Sequence, residues 1–339
     1  MNTVPKEVIR VSPQHLQEFV SAVFQKVGLS PEDADLLARL LTLTDLRGVS
    51  NHGTVQMSSY IRQFRKGQLN PRPNVHVISE SSTILIADGD GGLGYFPAYR
   101  AVHALIDKAL AQGVAAALTR NHGHIGAAGL YSRIPMEHDL ICYGVSGHQL
   151  LLRPGESVVN AAGGSPMTFA IPAGKEPPLV LDFGTMKHLY GGPERIRDLI
   201  EAAPGLILRS MGLGNVCQVL GGLLTGLSAR PERYEAIQGI PFIGPAKGRF
   251  PGANQGALFI ALDISRFIPV EEFKCEMDEY VRQVRRMKPL PGYEWAGLPG
   301  GLEWERERER RERGIPVGKA HREVLEKIGK EVGVSCPLF

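Results

Sequence analysis

Two histidines follow the ends of predicted elements, a position at which site residues often gather. His52 comes after the segment TDLRG, which ends a predicted helix, and His124 comes after the predicted strand VAAALT. Because the pKa of histidine lies near neutral pH, either imidazole is suited to donate or accept a proton. If both face one cleft, one can donate a proton while the other orients the substrate. Asp182, at the end of another predicted strand, would border that cleft.

Two further histidines lie close to these candidates. His122 and His124 form an H-x-H pair, which places both imidazoles on one face of a strand, so a metal site shared with His148 is conceivable. No cysteine or carboxylate is placed beside them, and a hydrogen-bonded turn residue is the alternative interpretation of each histidine. We therefore predict no metal ligands.

A glycine pattern raises the question of a nucleotide site. Gly89, Gly91 and Gly94 spell G-x-G-x-x-G between a predicted strand and a predicted helix, the context of a dinucleotide-binding fingerprint. That fold also needs an acidic residue at the end of the next strand to hold the ribose. The strand ends in TRN instead, and Asp107 lies inside the intervening helix. We therefore interpret the glycines as a turn.

The composition is that of an ordinary globular chain. Of 339 residues, 43% are hydrophobic and 22% are charged, with 38 Lys and Arg against 35 Asp and Glu. This balance gives no field that would favour nucleic acid as a partner. No apolar run approaches the length that spans a bilayer, no signal peptide opens the chain, and the cysteines form no C-x-x-C pair. We expect a cytoplasmic protein with no membrane segment.

Amphipathic helices are predicted at both ends of the chain. Ser12 and Ser30 each stand before a proline that begins a helix, and a third helix is expected around Tyr60 to Phe64. Near the end, AHREVLEKIGKEVGV reads as an amphipathic helix and EWERERERRERG as a solvated one with interleaved charges. These helices predict a helical subdomain formed by residues 1–75 and 289–339.

The middle of the chain has a different pattern. Short β-rich runs alternate with helical patterns and many glycines; the runs are STILIAD, VAAALT, LICYGVS, PLVLDF and ALFIALDI. This alternation predicts a mixed α/β domain over residues 76–288.

Six segments resemble those of one enzyme family, in the same order along most of the chain. They are TDLRGVSNHGTVQMSSYIRQFRKGQLNPRP, ADGDGGLGYFPAYRA, HIGAAGLYSR, SPMTFAIPAGKEPPLVLDFGT, GGLLTGL and GALFIALDISRF. The chain is similar to the second type of the malate/L-lactate dehydrogenase family, which includes ureidoglycolate dehydrogenase, diketogulonate reductase and cyclic imino acid reductases. The resemblance implies an α/β fold outside the Rossmann class, with a central mixed sheet and a helical subdomain. It also implies a homodimer.

The resemblance also implies a chemistry. Members of the family reduce a carbonyl or imine next to a carboxylate with NADH or NADPH, so the expected cofactor is NAD or NADP. Such a reaction needs an acid, a cation for the carboxylate and a cofactor pocket. His52 falls at the histidine of the family's S-H-G motif, and His124 at that of its N-H-F-G-A-A-G motif. Both are therefore candidate catalytic residues, and His148 is a neighbouring candidate for substrate binding.

The implied cofactor contacts lie in two later segments. They are Asp182, Phe183 and Gly184, at the family's L-D-M-A-T turn, and Pro299, Gly300 and Gly301, where the family has P-G-E. Asp182 ends an apolar strand, where a carboxylate can accept two hydrogen bonds from a ribose. A residue that only caps the strand end is the alternative.

Several positions depart from the family pattern. The serine of the S-H-G motif is Asn51, and the arginine expected to hold the substrate carboxylate is Gln56. Since a neutral glutamine cannot form a bidentate ion pair, we expect a less anionic substrate or another cation, such as Arg47 or Arg120. The family's G-G-H-K-G-Y-G-L cofactor motif reads LILRSMGL, in which Arg209 replaces the lysine and is still able to contact a phosphate.

Three functions remain open. The first is a divergent oxidoreductase that reduces a C=O or C=N bond of a small 2-oxo acid-like or imine-like metabolite. The second is a cofactor-independent lyase, isomerase or hydrolase that uses His52 and His124, and the third is a non-catalytic dimeric protein. Fold alone does not choose among them. We favour the first, and binding of NADH or NADPH separates it from the others.

Overall fold

The computed structural model describes residues 7–150, 152–186, 193–227 and 249–336. The chain forms two compact units. The first, the helical unit, consists of Met1–Asn74 and Gly300–Phe339, and the second, the sheet unit, of Val75–Pro299. Residues 289–299, which the sequence assigns to the helical part, therefore belong to the sheet unit.

The strands of the described residues are, in chain order, β1 (Val8–Val11), β2 (His76–Glu80), β3 (Ile84–Asp88), β4 (Val114–His122), β5 (Leu140–His148), β6 (Pro166–Ile171), β7 (Leu179–Gly184), β8 (Gln255–Asp263) and β9 (Ile315–Gly318). The helices are α1 (Pro13–Lys26), α2 (Pro31–Leu46), α3 (Met57–Arg65), α4 (Tyr95–Gln112), α5 (Gly129–Met136), α6 (Pro193–Ala202), α7 (Pro204–Gln218), α8 (Val270–Arg285), α9 (Gly301–Arg313) and α10 (Lys319–Val332). Each β-rich run noted in the sequence forms a strand, as predicted.

The helical unit is built on α1 and α2, whose buried faces pack together. The predicted cap of α2 is confirmed, because the N–H of Asp33 donates to the Ser30 hydroxyl at 3.1 Å. Ser12 precedes α1 as predicted, but its side chain makes no capping bond. A short antiparallel ribbon of β1 and β9 pairs Val8 with Gly318, so it joins the beginning of the chain to its last part.

The charged helix α9 exists as predicted, but it is only partly solvated. Arg310 is 6% exposed and donates to the backbone carbonyl of Asp45 at 2.6 Å, and Glu307 pairs with Arg47 at 2.8 Å. Burial alone would raise the pKa of Glu307, yet Arg47 and Arg311 hold that pKa below its ordinary value. The expectation of a solvated helix holds only in part, because residues three apart share a face and this face packs on α2.

The sheet unit contains a seven-stranded mixed sheet with the order β2-β3-β4-β8-β5-β6-β7. Only β3 and β4 pair in parallel, and the other neighbours are antiparallel. Thr168 hydrogen-bonds Ser132 of α5, whereas its neighbour Met167 packs with Cys217 of α7. Because successive side chains of a strand point to opposite faces, α5 and α7 cover opposite faces of the sheet. The predicted mixed α/β fold is confirmed, and it is not a Rossmann sheet.

The strand directions bring several chain segments to one edge of this sheet. Strands β3, β4, β5 and β7 run the same way and end there, whereas β6 and β8 begin there. In register, His122 pairs with Gln255, Gln255 pairs with His148, and Pro166 pairs with Gly184. We call this the carboxyl edge.

Helix α7 continues through one π-helical turn, Val219–Leu223. By length and composition alone, the continuous segment Pro204–Leu223 would be able to cross a membrane, contrary to the expectation that no apolar run approaches that length. Gln218, 7% exposed, and Cys217, fully buried, instead pack this helix against the sheet. Its apolar character therefore also fits a helix of an α/β unit.

Candidate functional site at the carboxyl edge

The carboxyl edge gathers most of the candidates that lie in the sheet unit. Arg120 is near the end of β4, His124 follows it, His148 ends β5, and Asp182–Gly184 end β7. Loops at strand ends are where binding and catalytic groups are most often placed. The edge has two regions. We call the glycine turn at residues 89–94, together with residues 119–124 at the end of β4, the closed region, and we call the surroundings of His148 at the end of β5 the open region.

The closed region contains the glycine turn. The N–H groups of Gly89, Gly91 and Gly94 donate to backbone carbonyls in the segment 120–124, at 2.9, 2.9 and 3.1 Å. A Cβ atom on Gly94 would lie 2.6 Å from the carbonyl oxygen of Gly123, so these glycines are needed for close backbone packing. Because their N–H groups already have partners, they do not form a phosphate cradle. The interpretation as a turn is confirmed.

His122 is a structural residue of the closed region. Its Nδ1 lies 2.7 Å from the carbonyl oxygen of Gly123, so Nδ1 carries the proton, and its Nε2 accepts from the Thr119 hydroxyl at 2.8 Å. Burial lowers the pKa of His122 to about 4, although the Gly123 carbonyl and Asp88 act in the opposite direction. With both nitrogens occupied, His122 is not available to a metal.

The open region contains a cavity of about 200 Å³. It lies between His148 at the end of β5, Ala161 in the 3-10 turn Val158–Ala162, and Asn215 and Gln218 on α7. The remaining walls are mostly leucine and valine side chains. An apolar cavity with a few polar groups is the usual form of a small-molecule site.

Gln218 fixes the end of β5 next to this cavity. Its side-chain carbonyl accepts from the backbone N–H of His148 at 3.3 Å, and its amide donates to the carbonyl of the same residue. The Ser165 hydroxyl donates to the same oxygen of Gln218 at 3.1 Å. The buried amide of Gln218 thus pairs with the backbone of His148 as a neighbouring strand would. Helix α7 therefore helps to fix the position of His148.

His148 and Asn215 are two of the four polar residues that line the cavity, beside Gln149 and Gln218. Burial lowers the pKa of His148 to about 4, so near neutral pH its imidazole is uncharged, with one donor and one acceptor nitrogen. The side-chain oxygen of Asn215 is buried and has no hydrogen-bond partner among the described residues. Such an oxygen costs about 1–3 kcal/mol unless a ligand supplies a donor.

Sequence reasoning missed Asn215 and Gln218. The signal available was two amides in the otherwise apolar run LGNVCQVLGGLL. Their positions, three residues apart, place them on one face of α7.

Asp182 has a structural role in addition to the one predicted. Its carboxylate accepts from the N–H of Gly129 at 2.9 Å, at the positive N-terminus of α5. This supports the capping interpretation, but a carboxylate accepts several hydrogen bonds, so a ribose contact remains compatible. The ring of Phe183 packs against the core around Met167, and Gly184 pairs with Pro166. Asp182 is therefore the polar side chain of this strand end.

The predicted cations and the P-G segment are not among the residues that line the cavity. Arg120 is 45% exposed and pairs with Asp88 at 3.2 Å. Arg209 is exposed and lies about 180° around α7 from Gln218, since each residue turns the helix by about 100°. The carbonyl of Pro299 accepts from the N–H of Val180 at 2.9 Å, beside β7.

The helical unit contains the other candidates, four of them between α2 and α3. Arg47 follows α2 and is engaged with Glu307, while Asn51 and His52 lie in the 3-10 turn Ser50–His52. The side chain of Gln56 donates to the carbonyl of Asn51 at 2.6 Å, so it closes this turn.

The two glycines of the P-G segment begin the later part of the same unit. Gly300 has a positive φ of 91° at the start of α9, and Gly301 is the first residue of that helix. Among the described residues, no group of three or more His, Cys, Asp and Glu side chains is placed to hold a metal ion.

Comparison with known proteins identifies relatives over nearly the whole chain. A model of the malate/L-lactate dehydrogenase family matches residues 11–204 and 204–326. The malate dehydrogenase of Pyrococcus horikoshii is 29% identical over 352 residues, covering 98% of this chain and 98% of that protein. The L-sulfolactate dehydrogenase of Methanocaldococcus jannaschii is 28% identical, with coverage of 96% and 98%. The solved structure of malate dehydrogenase from Pyrococcus horikoshii OT3 superposes with a TM-score of 0.81 at 26% identity, covering 99% of both chains.

Proposed function

The chain belongs to the malate/L-lactate dehydrogenase family of oxidoreductases, and we propose that it reduces a small 2-oxo acid-like or imine-like metabolite with NADH or NADPH. The names of two relatives specify malate and sulfolactate, which are both 2-hydroxy acids. The product of the reaction would be a hydroxy or amino acid of the same general type.

The observation that carries the proposal is the cavity of about 200 Å³ beside His148, which Asn215 and Gln218 also line. A reduced nicotinamide ring is uncharged and carries a carboxamide, which would pair with the amide side chain of Asn215. The neutral imidazole of His148 offers a second hydrogen bond, and the apolar walls suit the ring. A cavity of about 200 Å³ fits one ring-sized group, not a whole dinucleotide. The residues present therefore fit the nicotinamide end of the cofactor.

The bound nicotinamide would supply the hydride, and the protein would supply the proton. His52 and His124 are the candidate donors, because histidine alone among side chains ordinarily changes charge near neutral pH. A donor would protonate the alkoxide or amine as the C=O or C=N bond is reduced. Apolar walls around the ring would exclude water, which strengthens the hydrogen bonds that orient it.

The substrate carboxylate needs a cation, and Arg120 is the better of the two candidates. Both arginines are ion-paired, Arg47 with Glu307 at 2.8 Å and Arg120 with Asp88 at 3.2 Å, but the side chain of Arg47 is 11% exposed, whereas that of Arg120 is 45% exposed. Gln56 is occupied with the carbonyl of Asn51. We therefore assign the carboxylate to Arg120, while the ribose contact of Asp182 and the phosphate contact of Arg209 stay predictions from the family resemblance.

The same proposal includes a homodimer located in the cytoplasm. Helices α6 and α7 expose a set of large apolar side chains, and contiguous exposed apolar surface usually marks an interface. The set includes Ile200, Leu206, Leu208, Leu213 and Val216. Light scattering at micromolar concentration tests this, and a monomeric mass would contradict it.

The test of the function is a panel of 2-oxo acids and cyclic imines, followed by the loss of reduced nicotinamide absorbance. Turnover of at least one class with NADH or NADPH is expected. His52→Ala and His124→Ala should each reduce turnover by about 10²–10⁴-fold while leaving thermal stability nearly unchanged. Full activity in both variants would overturn the assignment of the proton donor.

A further inference from the structure

A chain of hydrogen bonds runs through the helical unit to the turn that carries His52. The N–H and the hydroxyl of Thr54 lie 3.0 and 2.6 Å from the same carboxylate oxygen of Asp45. The hydroxyl of Thr54 also lies 2.9 Å from Nε2 of His321, the third residue of α10. Asp45 and Thr54 are 1% and 0% exposed. An interior carboxylate is thus linked through one hydroxyl to an imidazole on another helix.

The direction of each bond follows from the number of protons. An ionised carboxylate only accepts, so the single hydroxyl proton of Thr54 goes to Asp45. Its oxygen must then accept from His321, which therefore carries a proton on Nε2. The arrangement selects one tautomer of His321 and one rotamer of Thr54.

We do not expect this network to add much to the free energy of unfolding. Burial raises the pKa of Asp45 above its ordinary value, even though His321, Thr54 and Arg310 act in the opposite direction. The second carboxylate oxygen has no hydrogen-bond partner among the described residues. Replacing such a buried polar group by well-packed apolar atoms is often neutral or stabilising. The contribution of Asp45 is therefore better sought in the geometry it imposes.

That geometry concerns the segment on both sides of Gly53. Two short 3-10 turns, Ser50–His52 and Thr54–Gln56, meet at Gly53, and such turns are weaker than α-helix. A Cβ atom on Gly53 would overlap the carboxylate of Asp45. The carboxylate is thus wedged against the residue after His52 and bonded to the next residue, which leaves the turn little freedom.

We propose that Asp45, Thr54 and His321 are positioning residues that hold the His52 turn in a single conformation. The inference rests on the proposed function in one respect, namely that His52 takes part in the reaction. None of the three residues needs to touch the substrate. Their effect would be exerted through the backbone of residues 50–56.

The experiment compares two valine substitutions of buried threonines in the same unit. Thr54→Val removes the central hydroxyl, and Thr42→Val removes one that is 2% exposed and has no hydrogen-bond partner among the described residues. Thr54→Val should speed amide hydrogen exchange of residues 50–56 by about tenfold, and Thr42→Val should leave it unchanged. The variant Thr54→Ser keeps the hydroxyl and should therefore exchange as slowly as the wild type.

A second pair of variants tests His321, at the other end of the hydrogen-bond network. This pair keeps the proposal testable if Thr54→Val does not fold. His321 is partly exposed, so His321→Leu should fold, and it should speed exchange of residues 50–56, whereas His321→Gln keeps an N–H donor and should not. Equal exchange in Thr54→Val and Thr42→Val, or in His321→Leu and His321→Gln, would overturn the proposal.

Kinetics then separate positioning from simple structural support. Thr54→Val should lower kcat by about tenfold with little change in KM, since a misplaced donor affects mainly the chemical step. An unchanged kcat with faster exchange would overturn the positioning role. If no substrate turned over at all, the proposed function would fail, and the exchange result would still decide the claim about the turn.

Discussion

His122 and His148 lie on either side of Gln255 in the sheet, each in register with it, and burial lowers the pKa of both to about 4. Their surroundings differ. The ring of His122 is occupied by Thr119 and Gly123, whereas His148 borders a cavity of about 200 Å³. A perturbed pKa therefore does not by itself mark a site. What distinguishes the open region from the closed one is space beside polar groups.

The largest expected effect is on the stability of the closed region. Gly94→Ala would place a methyl 2.6 Å from the Gly123 carbonyl and should lower the free energy of unfolding by on the order of 3 kcal/mol, since backbone cannot move aside cheaply. Gly212→Ala, on α7 with nothing within 4 Å of the added atom, should instead stabilise by about 0.5–1 kcal/mol. Urea unfolding measures both. Equal effects would remove the contrast between the regions.

The pH dependence of stability should not distinguish the two histidines. Since each folded pKa is about 4 against an ordinary 6.5, the unfolded chain binds protons that the folded chain does not. Each histidine therefore contributes stability that is present above about pH 6.5 and is lost as the pH falls towards about 4, with a slope of up to about 1.4 kcal/mol per pH unit. His122→Gln and His148→Gln should each flatten the curve of unfolding free energy against pH. A curve that neither variant alters would contradict the burial of the two rings.

A smaller effect should sharpen the open region. Asn215→Leu removes the orphaned oxygen, so the free energy of unfolding should be unchanged or rise by about 1 kcal/mol, while affinity for reduced nicotinamide should fall about tenfold. Gly212→Ala on the same helix is the matched control for binding. Fluorescence titration measures the affinity. Unchanged affinity in Asn215→Leu would show that its oxygen does not meet the ligand.

The sequence predicts the local elements better than the site. Apolar periodicity identifies the five main β-rich runs and most helices, because those signals depend on neighbours in the chain. It does not identify β6, which begins with Pro166, or the exposed β2. The partners of His148 depend on strand register and on how α7 meets β5. Such long-range packing has no local pattern.

Sequence motifs likewise predict local structure but not what packs against it. The missing acid at the end of β4 was enough to reject a nucleotide cradle at Gly89 to Gly94, and the occupied N–H groups agree. The interleaved charges of α9 predict its helix but not the burial of Arg310, which depends on its contact with Asp45. Charge pattern describes one helix, whereas burial depends on what packs against it.

The proposed nicotinamide site is tested most directly by a titration of the wild type and Ala161→Phe with NADH and NADPH, followed by nicotinamide fluorescence. Ala161 lines the cavity and is partly exposed, so phenylalanine should fill the space without disturbing the fold. We predict that the wild type binds at least one nucleotide and that Ala161→Phe binds it at least about tenfold more weakly at unchanged thermal stability. Binding of neither nucleotide, or equal binding by both proteins, would contradict it.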